Sequence, residues 1–473
     1  MTQPPMMRTI HNIMMRLAAL LALALLTPTT IGATDIYPKN DVPNGYYFYP
    51  LPCDTLGVTM FMADVYKYNE AKKLRNSVDS VWMAADVVWG PDSMLSRQVP
   101  GFGYQPDTAS SPVLYWLIKD SYDVFSNASR FKSMIKRVRP CRRFRENTYA
   151  VESATSSSFL PGKSSEFSFP SSHASTSWGI ALELMCVNPW KADTIVNRGL
   201  AHSQSRVMGG VHWQSDVDAG KVLATANYAR IYSIDSLITR LDNAREETRQ
   251  LLGMAEFPTF DQLYACDDTL SLLTEHLAGP YAMDTPVGYS EIAVLLDRTS
   301  KATAAEIASA KQQVSLETAD ILSCFSTVMG KTITAESHPA VYALVDMHLR
   351  MCRKMCLLMQ SRYTKPRPWQ EINISPLTGE DIDSLEANCS YPSLHSAMGW
   401  TASLVLMPLL TSNQHNILKQ GVDYGENRIA AGVSWPGDVE IGRMLASIAY
   451  GYTTSCRDYG TMVRQAVAEF NQP

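Results

Sequence analysis

The apolar positions of this chain are spaced for helices along most of its length. The stretches Asp64–Asp92 and Pro112–Arg137 predict mostly helix, and Pro112 suits a first turn, where its missing N–H is no loss. Ala174–Val187 (ASTSWGIALELMCV) has the same spacing. A long helix is predicted from Asp216 into Leu252, with Gly253 as its stop and Pro258 beyond. Thr401–Thr411 (TASLVLMPLLT) is apolar but too short to cross a bilayer, so it reads as a buried helix. Strand signals are scarce, and the Pro- and Tyr-rich segment DIYPKNDVPNGYYFYPLPCD from Asp35 is irregular. The expectation is an all-α fold.

The N-terminus has a different pattern. Arg8 and Arg16 precede the apolar run Leu17–Leu26, and Thr27–Ala33 (TPTTIGA) is rich in small residues. That is the layout of a secretory signal peptide over residues 1–33, cleaved after Ala33. The run is short for a membrane anchor, and no later stretch is long and apolar enough for a span. The expected location is periplasmic or secreted, with no membrane span after signal removal.

The second half of the chain repeats the first. FPSSHASTSW around Pro170 returns as YPSLHSAMGW around Pro392, and SRVMGGVHWQSDVDAGKVLA from Ser205 returns as NRIAAGVSWPGDVEIGRMLA from Asn427. Both blocks are offset by 222 residues, so their mutual spacing is kept. Further upstream, HPAVYALVD from His338 resembles SPVLYWLIK from Ser111, TKPRPW resembles KRVRPC, and CDDTL after Ala265 echoes CDTL after Pro52. This is a duplication at domain scale, with domains at 34–255 and 256–473 and a boundary near Gly253–Pro258.

Composition adds limits. With 46% hydrophobic and 18% charged residues the chain has an ordinary globular make-up, and a net charge of −5 gives no basic field for nucleic acid. Nine cysteines in an oxidising compartment imply some pairing and at least one left over. Cys141 and Cys186 flank the motifs below and form a candidate bridge. Cys352 and Cys356 lie four apart without a second Cys/His pair, which argues against zinc. Lys132, Lys136, Arg137, Arg139, Arg142, Arg143 and Arg145 form a basic run, read mostly as a solvated face.

The chemistry centres on SRVMGGVHWQSD. His212 and Asp216 are four apart, so one helical turn lets the carboxylate hold one imidazole N–H and leave the other nitrogen free. Arg206 adds a fork of donors that fits phosphate oxygens. Upstream lie Lys132 with Arg139-Pro140, and Pro170-Ser171-Ser172-His173. In order the chain reads K-x6-R-P, P-S-x-H, then S-R-x5-H-x3-D. The region resembles the type-2 phosphatidic acid phosphatase (PAP2) superfamily and, within it, the bacterial class A acid phosphatases.

The resemblance implies roles. His212 would be the nucleophile that carries a phospho-enzyme, with Asp216 orienting it. His173 would protonate the leaving alkoxide and then activate water. Lys132, Arg139 and Arg206 would neutralise the phosphate, with Ser171 and the Ser172 N–H completing the cradle. Three cationic side chains would stand in for a metal, so no metal or other cofactor is expected and vanadate would inhibit. The family commonly has Gly where this chain has Ser172, a strained position if φ is positive. Trp82, Trp89, Trp116 and Tyr104 read as core before leaving-group pocket. His202, His276, His338, His348 and His415 match no motif.

The second copy departs from this set. Gln360 stands for Lys132, Asn427 for Ser205 and Ser434 for His212, while Arg367, Ser393, His395, Arg428 and Asp438 remain. A serine without an adjacent base is a poor nucleophile, so this copy is expected to be inactive. It would serve as an anion site or as structure, in an intramolecular pseudo-dimer or a homo-oligomer. The expected activity is hydrolysis of small phosphate monoesters at acidic pH, since His173 must be protonated to act as an acid. Two rivals remain: a vanadium-dependent haloperoxidase, with vanadate as cofactor, and a non-enzymatic anion-binding scaffold.

Overall fold

The computed structural model describes residues 42–52, 59–76, 83, 85–87, 89–146, 148, 166–379 and 389–472. The signal segment 1–33, Cys53 and Trp82 lie outside the described residues. Among the described residues there is no strand, only an isolated bridge between Val138 and Phe167, so the all-α expectation is borne out. No helix among them is long and apolar enough to cross a membrane.

The first half comprises α1 (Gly45–Phe48), α2 (Thr59–Lys73), α3 (Pro91–Phe102), α4 (Pro112–Ser126), α5 (Ser129–Ile135), α6 (Pro140–Phe144), α7 (Ser172–Val187), α8 (Ala192–Met208), α9 (Gln214–Ile231) and α10 (Asp235–Leu252). The second half comprises α11 (Phe260–Tyr264), α12 (Asp267–Glu275), α13 (Pro286–Ser300), α14 (Ala304–Gln312), α15 (Thr318–Met329), α16 (Pro339–Gln360), α17 (Pro368–Glu371), α18 (Leu394–Leu406), α19 (Gln414–Ala430), α20 (Pro436–Thr453) and α21 (Tyr459–Phe470). The order repeats: α7–α8–α9–α10 is matched by α18–α19–α20–α21.

Each half is built round one apolar helix. Every residue of α7 is buried except His173 in its first turn, and α4, α8 and α9 pack around it. In the second half α16, α19 and α20 surround α18 in the same way. The halves share one compact unit, in which α20 packs against both α7 and α9. Polar groups buried there are paired: Tyr228 Oη lies 2.8 Å from Thr454 Oγ1, and Arg245 Nη2 donates to the carbonyls of Ser455 and Cys456 at 2.8 and 2.9 Å.

Close approach fixes the α7 N-terminus. A Cβ on Gly220 of α9 would lie 2.5 Å from the Ser171 carbonyl oxygen, and one on Gly442 of α20 would lie 2.5 Å from that of Ser393. Only hydrogen fits there, which lets α9 press against the residue that caps α7. Gly220→Ala should therefore push the helices apart and lower stability by about 1–3 kcal/mol, measured as a fall in the thermal midpoint.

Two expectations need correction. The predicted Asp216–Leu252 helix is two helices, α9 and α10. Tight turns from Tyr232, Ser233 and Ile234 back to Ala229, Arg230 and Ile231 end α9, and the Ser233 hydroxyl competes for the Arg230 carbonyl at 2.7 Å. Gly253 does stop α10, in the left-handed conformation at φ 62°. Pro112–Arg137 is mostly helical as expected, in α4 and α5, with a break between Ser126 and Ser129. Within Thr401–Thr411 the α-helix ends at Leu406, and Pro408 sits in a 3-10 turn, where its lack of an N–H is tolerated.

Candidate active site

The site forms where the loops before α6, α7 and α9 meet. Ser171 caps α7: its Oγ accepts the Ala174 N–H at 3.3 Å, and its own N–H donates to the Asp216 carbonyl at 2.8 Å. Lys132, near the end of α5, is buried, and its ammonium donates to the carbonyls of Pro170, Ser168 and Phe167 at 2.7, 3.0 and 3.3 Å. The lysine thus ties down the loop that leads into α7 while holding its charge beneath it. Ser172 begins the helix with helical φ, so the strain foreseen for a non-glycine residue does not arise. Its buried Oγ has no hydrogen-bond partner among the described residues.

His212 lies in the turn between α8 and α9, which Gly210 permits with φ 81°. Its Nδ1 faces Asp216 Oδ2 at 3.4 Å and its Nε2 faces Arg139 Nη1 at 3.1 Å. A guanidinium only donates, so Nε2 must present its lone pair and Nδ1 must carry the proton. Arg139 Nη1 also donates to the Val211 carbonyl at 2.6 Å. Arg206, buried in the last turn of α8, is steadied by the Met83 carbonyl at 2.8 Å and Ser205 Oγ at 3.1 Å. His173 Nε2 lies 3.4 Å from the Val87 carbonyl, with the Trp89 ring 4.7 Å from its own.

Two contributors escape the motif. Arg137, read above as part of a solvated face, is 1% exposed. It donates to Asp216 Oδ1 and to Asp64 Oδ2, both at 2.6 Å, so it fixes the carboxylate behind His212. The signal was in the repeat, since TKPRPW keeps a base, Lys365, at the aligned place. Trp89 is not core: it is 49% exposed and borders His173, a position with no sequence periodicity to reveal it. Trp116 is likewise exposed. His202, left without a role, is buried with its ring 6.5 Å from that of His173.

The candidate Cys141–Cys186 bridge is absent, as both thiols are free. Cys141 donates its N–H to Gly210 beside the site, whereas Cys186 lies in the last turn of α7. At 1.5 Å per residue that helix places Cys186 roughly 20 Å from His173, well past the ~7 Å a disulfide can span.

Crowded cations set the electrostatics. Burial pulls His212 and Lys132 well below their usual ranges, and Arg139 adds to both effects. Burial and then Arg206 lower His173 in the same direction. Arg139 and Arg206 are drawn down by burial to about 10. Such a cluster favours any anion that restores the balance. The buried histidines also imply acid lability. The unfolded chain protonates them near pH 6.5 and the folded chain only at lower pH, so stability is full above that value and falls below it. Each such histidine costs about 1.4 kcal/mol per pH unit in that window. Thermal melts from pH 7 to 5 should show this loss, and saturating phosphate should offset part of it.

In the second half Arg367, Ser393, Arg428, Ser434 and Asp438 are buried in matching places, with His395 part-buried. Among the described residues a 490 Å³ cavity is lined by residues such as Lys67, Gln204, Asp218, Lys221, Glu291 and Lys365, none of them a motif residue of either half. No cluster among the described residues has the make-up of a metal site.

Among the described residues, a histidine–carboxylate pair and buried cations thus gather beside a helix N-terminus, a set of groups whose chemistry suits an anion. Residues 121–239, which contain every motif residue of the first half, match the model of the PAP2 superfamily. It is similar to a non-specific acid phosphatase of Providencia stuartii, 29% identical over 162 residues, 34% of this chain and 65% of the relative. It also resembles an acid phosphatase of Zymomonas mobilis, 28% identical over 138 residues, 29% of this chain and 52% of the relative. A non-specific acid phosphatase of Salmonella typhi is 39% identical over 94 residues, 19% of this chain and 38% of the relative. The chain therefore spans less than two thirds of the length of each of these relatives.

Proposed function

We propose that the chain is a phosphatase that hydrolyses phosphomonoesters through a phosphohistidine on His212. The observation that carries this reading is the imidazole itself, its Nε2 lone pair held among cations and its Nδ1–H turned to a buried carboxylate. In the first step Nε2 attacks phosphorus, the P–O bond to the leaving group breaks, and His173 gives that oxygen its proton. Asp216 accepts from Nδ1–H as the ring gains charge. In the second step His173 takes a proton from water, the oxygen attacks phosphorus, and the P–N bond breaks. Lys132, Arg139, Arg206 and the α7 N–H groups neutralise the equatorial oxygens throughout. Relatives named acid phosphatases support the same reading.

The pH dependence has a definite sign. His212 must be neutral to attack and His173 protonated to donate. Both are depressed by burial, so the working window lies on the acid side of the ordinary histidine range. With a chromogenic phosphomonoester and chelator present, kcat/KM should fall about tenfold per pH unit above neutrality. A profile that stays flat into the alkaline range would sink the assignment of His173. Vanadate should compete with substrate, and halide oxidation by the vanadate-loaded protein would move the reading to a haloperoxidase.

Residues 1–33 would direct the chain to the periplasm or beyond. Residues 256–473 would be a duplicated, catalytically silent domain that packs on the first as a built-in dimer partner. A serine stands at the nucleophile position there, and the buried polar contacts between α9, α10 and the end of α20 support the packing.

A further inference from the structure

The second half keeps the frame of the first site after losing its reactive group. Arg367 Nη1 donates to the Val433 carbonyl at 3.1 Å, as Arg139 does to Val211 at 2.6 Å. The Val433 N–H donates to the Arg428 carbonyl at 3.0 Å, as Val211 does to Arg206 at 3.2 Å. Gly432 and Gly210 turn the chain with φ 76° and 81°. Ser393 Oγ accepts the Ser396 N–H at the start of α18, and the Ser393 N–H donates to the Asp438 carbonyl at 2.9 Å. The Arg367 guanidinium and the Arg428 main-chain carbonyl thus meet at the backbone of Val433, beside the residue that stands at the nucleophile position.

The changes fall on charge and reactivity, not on shape. Gln360 Nε2 donates to the Pro392 carbonyl at 3.0 Å and the Cys389 carbonyl at 3.4 Å, so the amide keeps the loop tie made by Lys132 and discards its charge. Ser434 replaces the nucleophile and is buried. Asp438 is engaged by Lys365 Nζ at 2.7 Å and Ser390 Oγ at 2.5 Å, with no imidazole to orient. Arg428 is wholly buried and Arg367 is 8% exposed, and both lie near enough to His395 to hold its imidazole below the usual range, behind the larger effect of burial. The indole N–H of Trp369, a side chain packed against Ala431 and Val433, is buried without an acceptor among the described residues.

We propose that Arg367, Arg428, Ser393, Ser434 and the first N–H groups of α18 form a non-catalytic site for a tetrahedral oxyanion of the phosphate class. Two fixed cations match an anion of one or two charges. Without a nucleophile the anion is held and not turned over. A count of two anions per chain rests on the phosphate reading of the first site, whereas the anion beside Arg428 is read independently of it.

The test is the number of anions bound per chain. Equilibrium dialysis of the whole protein with labelled orthophosphate should give two, and crystals soaked in tungstate should give anomalous peaks beside both Arg206 and Arg428. Ser434→Asp places a carboxylate where the anion would sit. It should remove one bound phosphate and the second peak while hydrolysis stays within about twofold of the parent. His212→Ala should lose hydrolysis and keep the anion beside Arg428. An arm with phenylphosphonate distinguishes the sources: displacement at both sites means that phosphate monoesters enter the second one, and displacement only at the first means that it takes free phosphate. No anomalous peak beside Arg428 in the parent, or that peak retained in Ser434→Asp, would overturn the proposal, whereas a missing peak beside Arg206 alone would count against the reading of the first site.

Discussion

His212→Ala should abolish turnover of a phosphomonoester, with kcat reduced by on the order of 10³-fold or more. The buried hydroxyl of Ser172 has no hydrogen-bond partner among the described residues that could activate it. Arg139 loses its contact with Nε2 but keeps the Val211 carbonyl, so the cations stay in place and phosphate still binds. Folding should survive, since the substitution removes a buried group that resists protonation. The check is kcat for a chromogenic ester beside circular dichroism melts and phosphate titration. Activity within tenfold of the parent in a well-folded variant would mean that the nucleophile lies elsewhere. A denatured sample of the parent, quenched during turnover of a ³²P-labelled ester, should carry acid-labile label that the variant lacks.

Much of this site was legible because its groups sit in three short motifs and each motif is local. The spacing of His212 and Asp216, one turn apart, already contains their pairing, and Pro-Ser at a helix start already contains the cap. The helical class followed from apolar spacing in the same way. What escaped depends on tertiary contact. Arg137 lies in a run of bases whose exposure no local pattern fixes, and only the arrival of Asp64 from α2 and Asp216 from α9 makes it a buried bridge. Trp89 acquires meaning from its nearness to His173, across some 80 residues of chain. The break between α9 and α10 has no Gly or Pro to announce it; side-chain competition at Ser233 and tight turns end the helix. The supposed bridge failed because closeness to motifs in sequence says nothing of the two ends of one helix.

Arg137→Ala should be the most damaging change outside the motif residues themselves. Both carboxylates it joins are buried, Asp216 at 0% and Asp64 at 6% exposure, and removing their shared partner leaves two desolvated negative charges. Breaking such a pair costs about 3–5 kcal/mol. Activity should fall as well, because Asp216 keeps the Trp213 N–H on Oδ2 but loses the guanidinium on Oδ1 that fixes the plane of the carboxylate, and an outer partner of this kind is worth about 10–100-fold. The loss should appear in kcat more than in KM, since phosphate contacts are untouched. Arg137→Lys separates positioning from mere support. In the second half Lys365 bridges Asp438 at 2.7 Å and Glu291 at 3.1 Å, so an ammonium can span an equivalent pair. The lysine variant should regain most of the stability and at least part of kcat, because it restores the charge and one contact to each carboxylate. It should not match the parent, as the planar fork also reaches Ser215 Oγ at 2.8 Å, a third contact beside the two carboxylates. Urea unfolding and steady-state kinetics on both variants decide the matter. If Arg137→Ala melts with the parent and turns over as fast, Asp216 is held by other means and the bridge is incidental.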